Sequence, residues 1–178
     1  MAAGYRRIAR VAKAHGTHGE VVAVSVDGLP AVLKPGLRVC AVPPRLRGDR
    51  WHVVEDVETS DAGQLVTLSG VESLGEAREL VGSWLLAAEA DLPEGLAAHD
   101  ARGLRGREVR DARLGLVGTI EDVLYGPAND VWVVRGRAGE TLVPVVDAIV
   151  GRVDYGGGPI RVDLPVGLVP GDEGRGAR

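Results

Sequence analysis

Apolar residues recur at every second position through much of the chain. In Glu20-Val21-Val22-Ala23-Val24-Ser25-Val26-Asp27 the valines at 22, 24 and 26 fall on one face at period two, which predicts a half-buried strand. Trp51–Val57 and Gln64–Ser69 read as strands too, with Asp61-Ala62-Gly63 as a hairpin turn between them. The start, Met1 to Lys13, sets Arg6, Arg7, Arg10 and Lys13 among apolar residues and reads as another strand. One segment changes period. Ser73-Leu74-Gly75-Glu76 has the Ser-x-x-Glu form of a capping box, in which hydroxyl and carboxylate satisfy free amides at a helix start. Leu74, Ala77, Leu80 and Val81 then share a helical face, and Gly82 suits the left-handed residue that ends a helix. Trp84-Leu85-Leu86-Ala87 closes this half as a strand. About six strands and one short helix predict a closed barrel rather than a βαβ arrangement.

Asp91 to Gly103 has no clear period and contains Pro93 and Gly95, so it reads as the boundary between two domains. The predicted division is a first domain over 1–91, a linker over 92–102 and a second domain over 103–170. Strand candidates in the second half are Arg107–Arg110, Gly118–Leu124, Asp130–Arg135, Glu140–Val143, Ile149–Asp154 and Ile160–Leu164. Turns are read at Gly126-Pro127-Ala128-Asn129 and Gly156-Gly157-Gly158-Pro159, and residues 171–178 as a disordered tail.

Composition sharpens this picture. Hydrophobic residues make up 45% and charged residues 26% of the 178, enough apolar surface for a folded core. Aromatics are 3% with no Phe, so the cores must be built from Val, Leu, Ile and Ala. The single cysteine, Cys40, lies in the apolar run Leu37–Val42; it excludes an internal disulfide and a cysteine-based zinc site, and reads as a small core side chain. No run approaches the ~18–20 apolar residues of a membrane span, and the N-terminal stretch lacks a signal-type apolar core. A reduced, cytoplasmic protein is expected.

The net charge of −4 argues against simple nucleic-acid coating. The charge is unevenly placed. Residues 1–50 hold nine basic and three acidic groups, whereas residues 51–100 hold one and eleven. Such a chain can turn a basic face to an anionic assembly, unless strand order mixes the charges on the folded surface.

Enzyme chemistry finds little support. No Gly-rich phosphate loop and no Gly-x-Ser-x-Gly elbow is present. His15 and His18 are three apart among glycines with no cluster to complete a metal site, so a partner-contacting loop is the better reading. Glu121 and Asp122 adjoin on a strand and point to opposite faces, so they are no catalytic pair. Glu55-Asp56-Val57-Glu58 reads as a solvated face. The arginines at 102, 105, 107, 110 and 113 could meet phosphates, but Glu108 and Asp111 interleave with them and fit surface ion pairs equally well. Trp132 in Asp130–Val134 fits a core position better than a stacking platform, and aromatics are too few along the chain to predict a single-strand-binding surface.

Ala14-His15-Gly16-Thr17-His18-Gly19-Glu20, directly after a strand, resembles the Ala-His-Gly-x-x-Gly-Glu signature of the RimM family of ribosome maturation factors. Further segments agree in order: Gly70-Val71 with Ala77, Leu80 and Gly82; Asp91-Leu92-Pro93; Gly118-Thr119-Ile120; Asn129-Asp130-Val131; Leu142–Val146; and Val162–Leu168. The resemblance runs over about residues 5–169. It implies an all-β fold with a minor helix: a six-stranded barrel like those of translation factors, then a PRC-type barrel. It implies no catalysis and no cofactor. It implies binding to free immature small (30S) ribosomal subunits, help in late assembly of the head, and support of 16S rRNA processing. The implied direct partner of the PRC-type half is small-subunit ribosomal protein nineteen, with a monomeric factor and no membrane.

The partner-contacting residues expected on this reading are His15, Gly16, His18, Gly19 and Glu20 in the first loop, with His99, Arg102, Arg105 and Trp132 further on. Many relatives carry an aliphatic then a basic residue where this chain has Thr17 and His18. They also commonly carry two aromatics at the domain junction. Here that stretch is Ala97-Ala98-His99-Asp100, and His99 is read as a partial substitute. Two other classes compete: a general RNA-binding barrel, which would bind naked RNA with a steep salt dependence, and a small flavin-binding barrel enzyme, which would purify with a coloured cofactor.

Overall fold

Valines and alanines at alternate positions close the first half of the chain into a narrow barrel in a computed structural model, which describes residues 4–26, 28–45 and 48–173. The chain divides into two compact units, Met1–Pro93 and Glu94–Arg178.

The first unit has strands β1 (Tyr5–His15), β2 (Glu20–Ser25), β3 (Arg38–Val42), β4 (Trp51–Ser60), β5 (Gly63–Leu68) and β6 (Trp84–Ala88). They close in the order β1-β2-β5-β4-β3-β6, every pairing antiparallel, with β6 returning to β1. Six strands leave an interior just wide enough for aliphatic side chains. Val11, Val21, Val39, Val54, Val66 and Leu85 fill it, all fully buried. Cys40 is buried, as its apolar run suggests.

The face expected for β2 fails at its middle residue: Val22 and Val26 are buried as expected, but so are Val21 and Ala23, and Val24 is 38% exposed. A one-residue slip exchanges the two faces of a strand, and a run rich in valine on both faces does not declare which is inside. Asp27, the last residue of that expected strand, lies outside the described residues, as do 1–3 and 174–178.

The helix forms where its cap is written. In α1 (Leu74–Leu80) the Ser73 hydroxyl accepts from the Glu76 amide, and the Glu76 carboxylate accepts from the Ser73 amide at 3.1 Å. Ala77 and Leu80 are fully buried. Val81 is not on the buried face as expected. It leaves the helix with ψ 128° and is 44% exposed. Gly82, at φ 88°, turns the chain so that its amide donates to the Val11 carbonyl of β1.

The second unit starts earlier than the sequence suggests. Residues 92–102, expected as a linker, include a 3-10 turn (Leu96–His99) and the start of α2 (Ala101–Leu104). Asp100 caps α2 by accepting from the amides of Arg102 and Gly103. Leu96, Ala97, Ala98, Ala101 and Leu104 are buried, the last four within the second unit's core cluster. Three alanines in two short turns carry no readable period, yet their small side chains are what lets these turns pack closely.

Strands β7 (Glu108–Asp111), β8 (Gly115–Leu124), β9 (Val131–Gly136), β10 (Gly139–Pro144) and β11 (Ile160–Val162) form a five-stranded sheet ordered β10-β9-β8-β7-β11, with β11 parallel to β7. Trp132 is fully buried in the core with Ile120, Val134, Val143 and Leu104, and its indole N–H donates to the Ala98 carbonyl at 2.9 Å. The strand expected over Ile149–Asp154 is absent except for a single bridge, Val150 to Val162. The buried Arg107 guanidinium instead holds the end of this stretch, donating to the carbonyl of Asp154 (2.6 Å) and, further on, to that of Gly158 (2.9 Å).

Asp111 ties β7 to the end of the chain. It is 4% exposed, and its carboxylate accepts from the amides of Arg113, Leu114 and Leu164, each at 2.8 Å. Burial pushes its pKa up, but the amides of Leu164, Leu114 and Arg113 outweigh burial and hold it below the ordinary aspartate value. Asp111→Ala should therefore cost about 3 kcal/mol at neutral pH. A group whose folded pKa is depressed stabilises above its unfolded pKa of about 3.9 and loses that contribution as pH falls through the folded value. Melting curves of wild type and variant should thus lie well apart at pH 7 and approach each other below about pH 4. A gap that does not narrow would show that the amide bonds to the charged form are not its cause. Of the tail expected over 171–178, the described part is held: the nearly buried Asp172 carboxylate accepts from both terminal guanidinium nitrogens of Arg113 at 2.8 and 2.7 Å, and 174–178 lie outside the described residues.

Candidate functional site

The expected contact residues form two groups, one in each unit. In the first, His15 ends β1 and pairs with Glu20 at the start of β2. His15, Gly16, Thr17 and His18 are exposed, and Glu20 is half-buried. Thr17 Oγ1 and His18 Nδ1 lie 3.2 Å apart. Gly16 and Gly19 have φ of 61° and 92°, a region that side chains resist. Their surroundings differ. A Cβ on Gly19 would run into the backbone carbonyl of Val71, whereas one on Gly16 would meet the movable end of Glu20. The loop is thus clamped at Gly19 against the turn before α1 and leaves both imidazoles in solvent.

The clamp gives a graded expectation. Gly19→Val should destabilise the first unit by about 3 kcal/mol, combining roughly 1–2 kcal/mol of left-handed strain with a backbone collision. Gly16→Val should cost only the strain. His15→Ala and His18→Ala should leave the melting temperature unchanged and weaken binding to the partner about tenfold between them. Unchanged affinity in the folded histidine variants would remove the loop from the contact surface.

The second group surrounds His99. Its Nδ1 lies 2.6 Å from the Asp130 carboxylate at the entry to β9, and the Tyr125 hydroxyl donates to its carbonyl at 3.4 Å. The Asp130 side chain is 13% exposed and the His99 ring 33%, so the pair is a fixed, half-open contact. Beside it lies a cavity of about 440 Å³ lined by Glu94, Ala98, His99, Val146, Arg152 and Val153 among others. Arg102 and Arg105 stand exposed at and just after α2. Arg105 pairs with Asp122 at 2.6 Å, and that hydrogen bond lowers the Asp122 pKa. Arg110 pairs with Glu108 and Arg135 with Glu121 and Glu140, so the interleaved charges form surface ion pairs. Exposed pairs of this kind contribute little stability.

Trp132 is a correction. Full burial beneath the sheet keeps it from any partner, and its role is to fill the core.

Sequence reasoning missed the solvent face of this sheet. Register places Leu124, Val131 and Pro144 in one row across β8, β9 and β10, and Val133 beside Leu142 in the next. Leu124, Tyr125 and Leu142 are 50%, 43% and 46% exposed. The outer face is mixed: Asp122 lies opposite Val133 in the second row, and Arg135 with Glu121 and Glu140 holds the far end, so the apolar part is a small patch around Leu124, Tyr125 and Leu142.

Among the described residues no three His, Cys, Asp or Glu side chains are grouped to hold a metal, and no helix is long and apolar enough to cross a membrane. The two units carry a glycine loop clamped at Gly19, a histidine paired with Asp130 and a small apolar patch on the second unit's sheet. They define the class as a two-unit, mostly β protein with a six-stranded barrel in the first unit and a five-stranded sheet in the second.

Comparison with known proteins gives the family. A family model described as the RimM PRC barrel domain matches residues 99–168. The ribosome maturation factor RimM of Desulfitobacterium hafniense (strain Y51) is 30% identical over 170 residues, covering 93% of this chain and 96% of that protein. A crystal structure of a protein described as a 16S ribosomal RNA processing protein RimM, from Pseudomonas aeruginosa, is 25% identical with a TM-score of 0.40, covering 91% of this chain and 98% of that one. The solution structure of the N-terminal domain of RimM from Thermus thermophilus is also 25% identical, with a TM-score of 0.39, covering 50% of this chain and 94% of that one. The chain belongs to the RimM family of ribosome maturation factors.

Proposed function

We propose that the chain is a non-enzymatic, cytoplasmic factor for late assembly of the small ribosomal subunit. It binds the free immature 30S particle near its head, acts as a monomer and supports processing of 16S rRNA. The observation that carries this reading is identity to a ribosome maturation factor over nearly the whole length of both chains. The second unit docks on small-subunit ribosomal protein nineteen. Its exposed sheet face around Leu124 and Leu142, flanked by the His99–Asp130 pair, supports that assignment. The His15–Glu20 loop supplies a second contact.

No bond chemistry is required. A factor that binds the correctly arranged intermediate better than its alternatives shifts the population toward it by that difference in affinity. An interface of ~800 Å² on the factor is of ordinary size for such docking. Deleting the gene is expected to raise unprocessed small-subunit RNA and lower the ratio of small to large subunits. Normal precursor levels and a normal ratio in the deletion strain would overturn the assignment.

A further inference from the structure

Half of the chain's six aromatic residues lie on one outer face of the first unit, although they are far apart in sequence; of these Tyr5 and Trp51 are in contact. Strand register brings them together. Arg7 of β1 lies opposite Leu86 of β6, which lies opposite Cys40 of β3 and then Trp51 of β4; Arg10, Trp84 and Val42 form the adjoining row. The Arg7 guanidinium carbon sits 4.5 Å from the centre of the Trp84 ring and that of Arg10 5.3 Å from it. Arg38 sits 4.5 Å from the centre of Trp51, whose ring is 5.6 Å from that of Tyr5. The face is open, with Tyr5 48% exposed and Val42 and Val53 each 41% exposed.

Its charge differs from that of the second unit. There Arg105, Arg110, Arg113 and Arg135 each lie against a carboxylate, while Arg137, Arg152 and Arg161 make no ion pair among the described residues but have no ring beneath them. Arg10 and Arg38 make no ion pair among the described residues; Arg10 donates only to the Gly82 carbonyl, at 3.4 Å. The acidic residues Asp56 and Glu58 lie on the other half of β4, opposite Thr67 and Leu65 of β5, while Asp49 and Glu76 line a cavity at the edge of the face with Trp51. A chain of net charge −4 has therefore kept Arg10 and Arg38 stacked on rings and clear of ion pairs.

The geometry points to this face of β1, β6, β3 and β4 as a binding site for an unpaired segment of RNA. A guanidinium lying over an indole turns its N–H edge outward, where phosphate oxygens can accept, and the ring–guanidinium stacks offer flat surfaces to bases. Only unpaired bases can stack there, because bases in a duplex are already stacked on each other. The site belongs to the first unit alone. It is sequence-tolerant, since stacking and phosphate contacts read no base edges.

The test uses the full chain and a fluorescein-labelled single-stranded RNA of about ten nucleotides, followed by anisotropy and tryptophan quenching. Binding at about 50 mM salt should weaken steeply by about 200 mM. The combined variant Arg7→Gln, Arg10→Gln, Arg38→Gln should bind about tenfold or more weakly. Its log–log salt slope should be shallower by about 2, since each phosphate neutralised on a single strand adds ~0.7 to the slope. A charge-matched control, Arg110→Gln, Arg135→Gln, Arg161→Gln, should stay within about twofold. Tyr5→Ala, which removes an exposed ring only, should weaken binding and reduce quenching even if the triple variant proves unstable. Equal loss in the control would mean general charge attraction and would overturn the site. So would the absence of RNA binding at low salt, or a folded triple variant that keeps RNA binding but no longer sediments with small subunits. That last outcome would assign the face to a protein.

Discussion

Trp132→Ala is expected to unfold the second unit at physiological temperature while leaving the first unit folded. The side chain is fully buried among Ile120, Val134, Val143 and Leu104. Truncating a large core aromatic costs about 3–5 kcal/mol, and a unit of this size has only several kcal/mol in hand. The change also strips the donor from the Ala98 carbonyl, so the turn over Leu96–His99 loses its tie to the sheet. Trp132→Phe separates the two terms. It keeps most of the ring and loses the hydrogen bond, for a cost nearer 1–2 kcal/mol. Amide exchange followed by mass spectrometry resolves the two units. Protection within a few-fold of wild type across β8 and β9 in the alanine variant would contradict the account.

Where the chain is cut should decide whether the second unit folds alone. A chain of residues 94–173 should give dispersed amide spectra and a cooperative melt, whereas residues 103–170 should not. The shorter piece lacks Ala97, Ala98 and Ala101 from the core and the Asp100 cap of α2. It also lacks Asp172, which accepts from Arg113 and from the Gly167 amide. Trp132 would then face solvent where Ala98 now covers it. The lost burial and the orphaned indole N–H together amount to several kcal/mol, comparable to the unit's whole stability. Equal folding of both pieces would show that the turns over 96–104 are ornament rather than core.

These expectations show which parts of the structure could be read from sequence. The capping box at Ser73 and Glu76 was legible because its chemistry is local: four consecutive residues carry both partners. The hairpin at Asp61–Ala62 and the glycine loop at 16–19 were legible for the same reason. The buried face of β2 was not, because valines occupy both faces and only the closed barrel decides between them. Residues 96–104 were misread because alanine carries little hydrophobic signal, although small size is what close packing requires. Asp111 looked like one more surface acid between arginines. Its value comes from Leu164, more than fifty positions away. The pairing of His99 with Asp130 and the gathering of Tyr5, Trp51 and Trp84 are likewise products of register. A count of aromatics along the chain argued against a stacking surface; the barrel places half of them on one side.

Sedimentation tests the central claim most directly. Lysate from cells carrying the tagged full chain is run on a sucrose gradient at near-physiological salt, and fractions are probed for the protein and for precursor 16S rRNA. The protein should travel with free small subunits that contain unprocessed RNA, and be missing from complete ribosomes. The paired variant His15→Ala, His18→Ala should shift toward the top of the gradient while remaining folded. A wild-type protein that stays at the top, or spreads equally over complete ribosomes, would contradict the account.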